Sequence, residues 1–521
     1  MDIAFWLPLL FLAAIFALLF AGYSVAFTLA GGSLLFAGAA SALGHFDLRI
    51  LQGLPSRIYG LFGDDTLLSV PLFVLMGTVL DRTKVAAELL ETMGLAFRRV
   101  PGGIGVSVCL VGALLGASTG VIGATVVTMA LISLPTMLRH GYPAPLACGL
   151  ICASGALTQV IPPATVLILL GDQIGNAYAE AQRTIGNWSA SPVSVVDLYA
   201  GALLPGILLT AAYSLYVVGY AVLRPGDFKP AQNRDAERRI NFGDVTRALV
   251  APIGLLVAVL GSILFGIATA TEGAGVGVAG AFLLAGAREG SGCRRAVLVG
   301  LAALPCGIAL VNIGDVRLMR GSWDGAQIAL FAGVTICVGC FLFALLRAGI
   351  VLLRSGILTA ASLKALEISG MVYGILLGAS FFSLVFYGLG GDQVVALLFK
   401  QLPGGPTSAM IFAQAVIFVL GFPLENTEII SIAVPVLAPT LLQSVDPILF
   451  GVVTAVNLQT SYISPPVGFA LFYLRNVAPS HISTRMIWKG AIPFLIIQIA
   501  MLAVLIFIPE LATWLPTFLP H

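Results

Sequence analysis

Apolar residues run through this chain in long unbroken blocks instead of alternating with polar ones. Ile207–Leu223, Ala326–Leu346 and Trp488–Pro509 are examples. Each approaches the roughly 20 residues that an α-helix needs to cross about 30 Å of hydrocarbon. Backbone polar groups in lipid must be satisfied within the protein, which leaves helices or a closed barrel. Continuous blocks select helices, since barrel strands are short and alternate. The pattern predicts twelve crossings, over residues 5–21, 24–43, 66–80, 144–171, 198–223, 248–265, 267–287, 296–313, 326–346, 367–388, 447–474 and 487–509.

Two stretches break this pattern in the same way and at a nearly constant offset, the mark of an internal repeat. Pro101, Gly102 and Gly103 recur as Pro403, Gly404 and Gly405. Gly116–Ser118 falls opposite Gly421–Pro423, and Pro135-Thr136 opposite Pro439-Thr440. Pro143 matches Pro447, and Pro162-Pro163 matches Pro465-Pro466. In each copy a short apolar run reaches a polar, small-residue break, and a second run then ends in Pro-Thr. Residues 104–116 and 408–420 are too short to span. Residues 104–138 and 408–442 are therefore expected as re-entrant helical hairpins, each followed by a helix broken at Pro-Pro, over 144–171 and 447–474.

Charge gives the orientation. With both termini outside, Arg49, Arg57, Arg183, Arg317, Arg320 and Lys400 fall outside and every other lysine and arginine inside, as the positive-inside rule requires. The first hairpin then enters from the inside and the second from the outside. The expected organisation is a first inverted repeat over 1–223, an inner linker over 224–247 and a second repeat over 248–521. The second repeat carries an extra helix pair within 288–366, an even insertion that preserves the inversion. Met1-Asp2 lacks the basic start of a signal peptide, so 5–21 is expected to remain as a helix. Asp81–Arg99 reads as an interfacial linker helix or a solvated connection.

Composition agrees. Of 521 residues, 59% are hydrophobic and only 10% charged, against about 25% charged in soluble domains. The net charge of +2 says nothing about nucleic acid, and with no basic domain none is expected as a partner. His45, His140, His481 and His521 are scattered, so there is no H-E-x-x-H metalloprotease motif. Cys337 and Cys340 have C-x-x-C spacing but sit in an apolar run without His or charge, and read as packing residues. No phosphate-binding G-x-x-x-x-G-K-[ST] loop occurs. An ion gradient is the natural energy source, at about 2.3 kcal/mol per charge per 100 mV.

The chemistry is expected at the breaks. A mid-membrane Pro-Pro removes two donors and frees upstream carbonyls, which must line a cavity or be buried in protein. Inverted repeats with discontinuous helices are characteristic of secondary transporters. Half-helix N-termini favour anionic groups, and unwound carbonyls favour cations. Four polar clusters converge: Ser118-Thr119 and Glu425-Asn426-Thr427 at the hairpin tips, Thr158-Gln159 before Pro162-Pro163, and Asn457, Gln459, Thr460 and Ser461 before Pro465-Pro466. Hydroxyl and amide oxygens are hard neutral ligands suited to Na⁺. Glu425 and Glu428 are acids beside an apolar run and are functional candidates. Glu272, in a polar interruption near a predicted outer end, reads as solvent-exposed or as part of the pathway.

At these motifs the chain resembles the large membrane subunit of tripartite ATP-independent periplasmic (TRAP) transporters, the DctM-like family, in its longer form. The likeness is carried by Pro71–Gly77, Val100–Gly103, Arg139–Tyr142, Ile161–Pro163, Gly266–Glu272 and Val456–Gly468. The second tip departs from it, reading Pro423-Leu-Glu-Asn426 where Asp-Trp is usual. The resemblance implies an elevator-type, Na⁺-coupled symporter in a bacterial inner membrane that imports an organic acid. It implies two partners, a small four-helix membrane subunit and a periplasmic substrate-binding protein. Asn457–Arg475 is similar to the branch associated with 2-oxo acids and related carboxylates. Carried over by motif, the Na⁺ positions are Gly116, Ser118, Ser154, Thr158, Gly421, Asn426, Thr427, Thr460 and Ser461. The carboxylate would lie among Ser118, Thr119, Gln159, Pro162, Pro163, Glu425, Asn457, Gln459, Pro465 and Pro466. The competing reading is a channel that uses the same broken helices as a filter. An intramembrane enzyme lacks any paired nucleophile and base, and a silent scaffold leaves two costly breaks unexplained.

Overall fold

The computed structural model describes residues 3–83, 85–97, 100–119, 122–190, 192–228, 242–290, 292–313 and 325–519. Lys84, Arg98, Arg99, Arg317, Arg320 and residues 229–241 of the linker lie outside them. Among the described residues the regular structure is all helical, without strands. Among the described residues, eight helices are long and apolar enough to cross a membrane.

The chain opens with α1 (Ile3–Phe20) and α2 (Val25–Ala42). A 3₁₀ turn leads into α3 (Leu54–Phe62), and α4 (Ser69–Arg82) follows. The crossing expected over 66–80 is thus a helix of only 14 residues. It starts late because the Asp64 carboxylate accepts from Thr66 N at 2.8 Å and holds a turn there. The expected interfacial segment contains α5 (Val85–Ala96), whose Glu88 pairs with Arg288 at 2.9 Å.

The first hairpin is α6 (Gly103–Thr119) and α7 (Ile122–Arg139). The first broken helix is α8 (Ala144–Ala156), a 3₁₀ turn over Leu157–Gln159, and α9 (Thr165–Thr184). α10 (Val195–Leu223) starts at a capping box in which Ser194 N donates to Asp197 Oδ2 at 2.8 Å. α11 (Phe242–Leu264) and α12 (Ala270–Glu289) lead to the extra pair, α13 (Cys293–Ile313) and α14 (Gly325–Arg354). α15 (Ile357–Gly388) and α16 (Gly391–Lys400) precede the second hairpin, α17 (Gly405–Leu420) and α18 (Asn426–Leu441). The second broken helix is α19 (Pro447–Tyr462) and α20 (Phe469–Val477), and α21 (Thr484–Phe507) follows.

A pair of helices therefore occupies each of the segments 104–138 and 408–442, and a helix is interrupted at each Pro-Pro pair. Several helices outrun the expected crossings. α14 has 30 residues and α15 has 32, because polar ends such as Lys364–Glu367 (paired at 2.9 Å) remain helical beyond the apolar block. Hydropathy marks the hydrocarbon and not the end of the helix. α9 likewise runs on past residue 171 through Asp172 and Asn176.

Small residues set the close crossings, as expected where lipid supplies no hydrophobic drive between helices. Cys337 on α14 meets Gly307 on α13, and Ala344 meets Gly300, so the C-x-x-C pair is a packing seam. Glu272 is exposed and caps α12: Thr269 N donates to Glu272 Oε2 at 2.8 Å, and Thr271 donates to the Asp65 carbonyl. Its role is to start a helix.

The packing pairs recur across the two halves. α7 packs on α20, and α18 on α9, so each hairpin's return helix lies on the second part of the other half's broken helix. α8 packs on α21, and α19 on α10.

Candidate functional site

Each hairpin tip is pressed onto a broken helix through a glycine. A Cβ on Gly116 would lie 2.9 Å from Thr158 Cα, and one on Gly112 2.6 Å from Ser154 Cβ. A Cβ on Gly421 would collide with Ser461 Oγ. Gly116 is thus beside Thr158 and Gly421 beside Ser461, at matching places in the repeat. Ser118 and Thr119 close α6 in the backbone, but their side chains lie outside the described part, as do Gly120 and Val121.

On the first side the polar groups are buried and unpartnered. Ser154, Thr158 and Gln159 are all fully buried. Ser154 Oγ, Thr158 Oγ1 and both amide atoms of Gln159 have no hydrogen-bond partner. The 157–159 turn packs on α19, where Gln459 is also fully buried with both amide atoms unpartnered. Asn426 Oδ1, at the second tip, is in the same condition. Buried polar groups are nearly always hydrogen-bonded, and each one left alone costs about 1–3 kcal/mol. These unpartnered groups are concentrated at the breaks and at the second tip.

The second side is more occupied. Thr460 Oγ1 donates to Val456 O at 2.7 Å, and Ser461 Oγ to Leu458 O at 2.7 Å. Each hydroxyl has used its hydrogen and keeps lone pairs to offer. Asn426 N donates to Tyr462 Oη at 2.9 Å, tying the start of α18 to the end of α19. Thr427 is buried beside it. Glu428 Oε2 accepts from Glu425 N at 2.9 Å, so Glu428 caps α18. Glu425 is half-buried at the N-cap of the same helix.

Asn457 is braced. Its Nδ2 donates to Gln414 O at 2.6 Å and to Gln414 Oε1 at 2.8 Å, and Gln414 Nε2 donates to Thr454 Oγ1 at 3.0 Å. Gln414 is one residue that the sequence reading lacked. Its signal was a lone amide within an apolar re-entrant helix. Asn457→Ala and Gln414→Ala are each expected to cost about 1–3 kcal/mol. A double-mutant thermal-unfolding cycle should show coupling of roughly 1 kcal/mol or more, whereas strictly additive losses would rule out the brace.

The two Pro-Pro pairs are cis and differ in surroundings. Pro162 and Pro163 are buried, whereas Pro465 is half-buried and Pro466 exposed. They do not present equivalent surfaces. Another donor is spent on a proline kink. Pro439 leaves the Pro435 carbonyl without its helical partner, and Tyr387 Oη donates to it at 2.8 Å. Ser431 Oγ, on the same helix, is buried and unpartnered, and adds a hydroxyl that the sequence reading did not single out.

A family model described as "Tripartite ATP-independent periplasmic transporter, DctM component" matches residues 12–311 and 316–511. The chain is 27% identical over 455 residues to the C4-dicarboxylate TRAP transporter large permease protein DctM of Pseudomonas aeruginosa, covering 87% of each. It is 25% identical over 515 residues to the protein of the same name from Vibrio cholerae, covering 98% of this chain and 97% of that one. Among solved structures, the YdaH transporter of Alcanivorax borkumensis superposes with a TM-score of 0.54 at 15% identity, covering 90% of both chains. At that identity the likeness is one of fold.

Proposed function

Because the chain belongs to the DctM-component family of tripartite ATP-independent periplasmic transporters, and so is a transport permease and not an enzyme, we propose that it imports an organic acid by Na⁺-coupled symport. The working unit comprises this chain, a small four-helix membrane subunit and a periplasmic binding protein, in a bacterial inner membrane with both termini on the periplasmic side. The relatives named for C4-dicarboxylates support a small carboxylate as cargo.

The observation that carries the reading is the set of buried, unpartnered oxygens and amides at tips and breaks: Ser154, Thr158, Gln159, Asn426 and Gln459. Hard neutral oxygens suit Na⁺ better than a soft or multivalent metal. Ser154 and Thr158 with the Gly116 backbone would hold one ion, and Thr460, Ser461, Asn426 and Thr427 with the Gly421 backbone another. Na⁺ supplies the positive charge that makes a buried carboxylate tolerable. The chain's own part is to hold those oxygens rigid, to aim the starts of α9, α18 and α20 at the anion, and to exclude water through the glycine-tight tips. The recurring helix pairs support an inverted repeat in which hairpins and broken helices move as one elevator body against α4, α12 and α15.

The test is uptake by the three components in proteoliposomes, after a panel of small carboxylates has been screened by thermal shift of the binding protein. Uptake should saturate, and should vanish without either the inward Na⁺ gradient or the binding protein. Undiminished uptake when both are removed would overturn the coupling, and single-channel conductance would establish the filter reading.

A further inference from the structure

A chamber of about 600 Å³ lies apart from the tips. Its polar wall comes from α3 (Arg57), the turn before α4 (Asp64), α9 (Asp172, Glu180, Arg183) and α15 (Ser383). In a chain only 10% charged, five charged side chains around one chamber are conspicuous.

The chamber leaves both donors and acceptors open, with two guanidiniums and three carboxylates around it. Asp172 already accepts from Gln173 Nε2 at 2.8 Å and Asn176 Nδ2 at 3.3 Å, and Asp64 accepts from Thr66 N at 2.8 Å. Arg57 uses one nitrogen, donating from Nη1 to Ser383 Oγ at 3.0 Å. Neither Arg57 nor Arg183 forms an ion pair among the described residues, although three carboxylates share the chamber. Glu180 lies one turn from Arg183 on the same helix, and its carboxylate, like the second oxygen of Asp64, is open beside the guanidiniums. A guanidinium fork matches a carboxylate bidentately, and the volume lies within the usual range for a small-ligand site, about 300–1,000 Å³.

The chamber is also joined to the tips. α9 leaves the first break at Thr165 and α18 leaves the second tip at Asn426, and both helices line it farther along. From Thr165 to Glu180 is about 20 Å along α9. We propose that the chamber is an outer loading site, where Arg57 and Arg183 receive a small dicarboxylate before it reaches the hairpin tips. This rests on the transporter reading and on the expected orientation, which puts both arginines outside. The guanidiniums act as a weak, fast relay: they draw the anion from the binding protein and release it inward.

The test needs neither partner nor gradient, so it can fail independently of the transport reading. The purified full chain is treated with phenylglyoxal, with and without succinate, in Na⁺-free buffer, and modified arginines are mapped by mass spectrometry. Succinate should slow modification of Arg57 and Arg183 by about threefold or more and leave exposed Arg49 unchanged, while chloride at equal ionic strength protects none. No protection, or equal protection of Arg49, would overturn the proposal. In the reconstituted system, Arg57→Gln with Arg183→Gln should raise the half-saturating concentration of loaded binding protein about tenfold at an unchanged maximal rate. A fall in maximal rate alone would place the arginines in translocation and also overturn it.

Discussion

Gln159→Leu and Gln459→Leu are each expected to lower uptake by at least about tenfold while the melting temperature holds or rises. Both side chains are fully buried, and none of their four amide atoms has a partner. A buried amide without partners destabilises the fold by about 1–3 kcal/mol. An apolar side chain of similar volume removes that cost, much as replacing buried polar groups by well-packed hydrophobes is often neutral or stabilising. The two readouts therefore move in opposite directions if the amides serve cargo or ion. A fall in both would make the amides structural, and unchanged uptake would move the site elsewhere. The measurements are thermal melts in detergent and initial rates in proteoliposomes.

Gly149→Val is expected to abolish recovery of monodisperse protein, and Gly490→Val to do the same. A Cβ on Gly149 would collide with the Gly490 carbonyl, and one on Gly490 with the Pro145 carbonyl. These obstacles are backbone, so no side chain can turn aside, and α8 and α21 would have to separate. Overpacking costs about 1–3 kcal/mol even where neighbours can adjust, and here they cannot. Gly219→Val, on α10 with nothing within 4 Å of its Cβ, is the control that should leave the protein intact. Size-exclusion profiles of the three variants decide the matter: a normal profile for Gly149→Val would show that the crossing yields.

Much of the architecture was legible because its causes are local. A Pro-Pro pair cannot sit inside a helix, and Pro162-Pro163 and Pro465-Pro466 fall between α8 and α9 and between α19 and α20. Gly116 and Gly421 were readable as tip residues, because a tight approach needs a missing side chain. The short α3 and α16 escaped notice because hydropathy reports the bilayer and they do not cross it. The Asn457–Gln414 brace joins residues far apart in sequence, so no spacing could reveal it. Glu272 read as solvent-exposed or as part of the pathway, and it is exposed and shares a capping box with Thr269. The unequal exposure of the Pro-Pro pairs was hidden for another reason: a repeat predicts equal chemistry, but the surrounding helices differ, and α9 has 20 residues where α20 has 9.

The exchange of partners between halves has an evolutionary consequence. On the proposed inverted-repeat reading, a hairpin that packs on the other half's broken helix is what two identical antiparallel subunits would make across a shared interface. An ancestral half-length protein could then have worked only as a dual-topology homodimer, inserted both ways up. Fusion through an inner linker fixed one orientation for each copy and freed them to diverge. On that reading Asn457 and Ser154 are equivalent positions that have diverged, the first braced on Gln414 and the second buried without a hydrogen-bond partner.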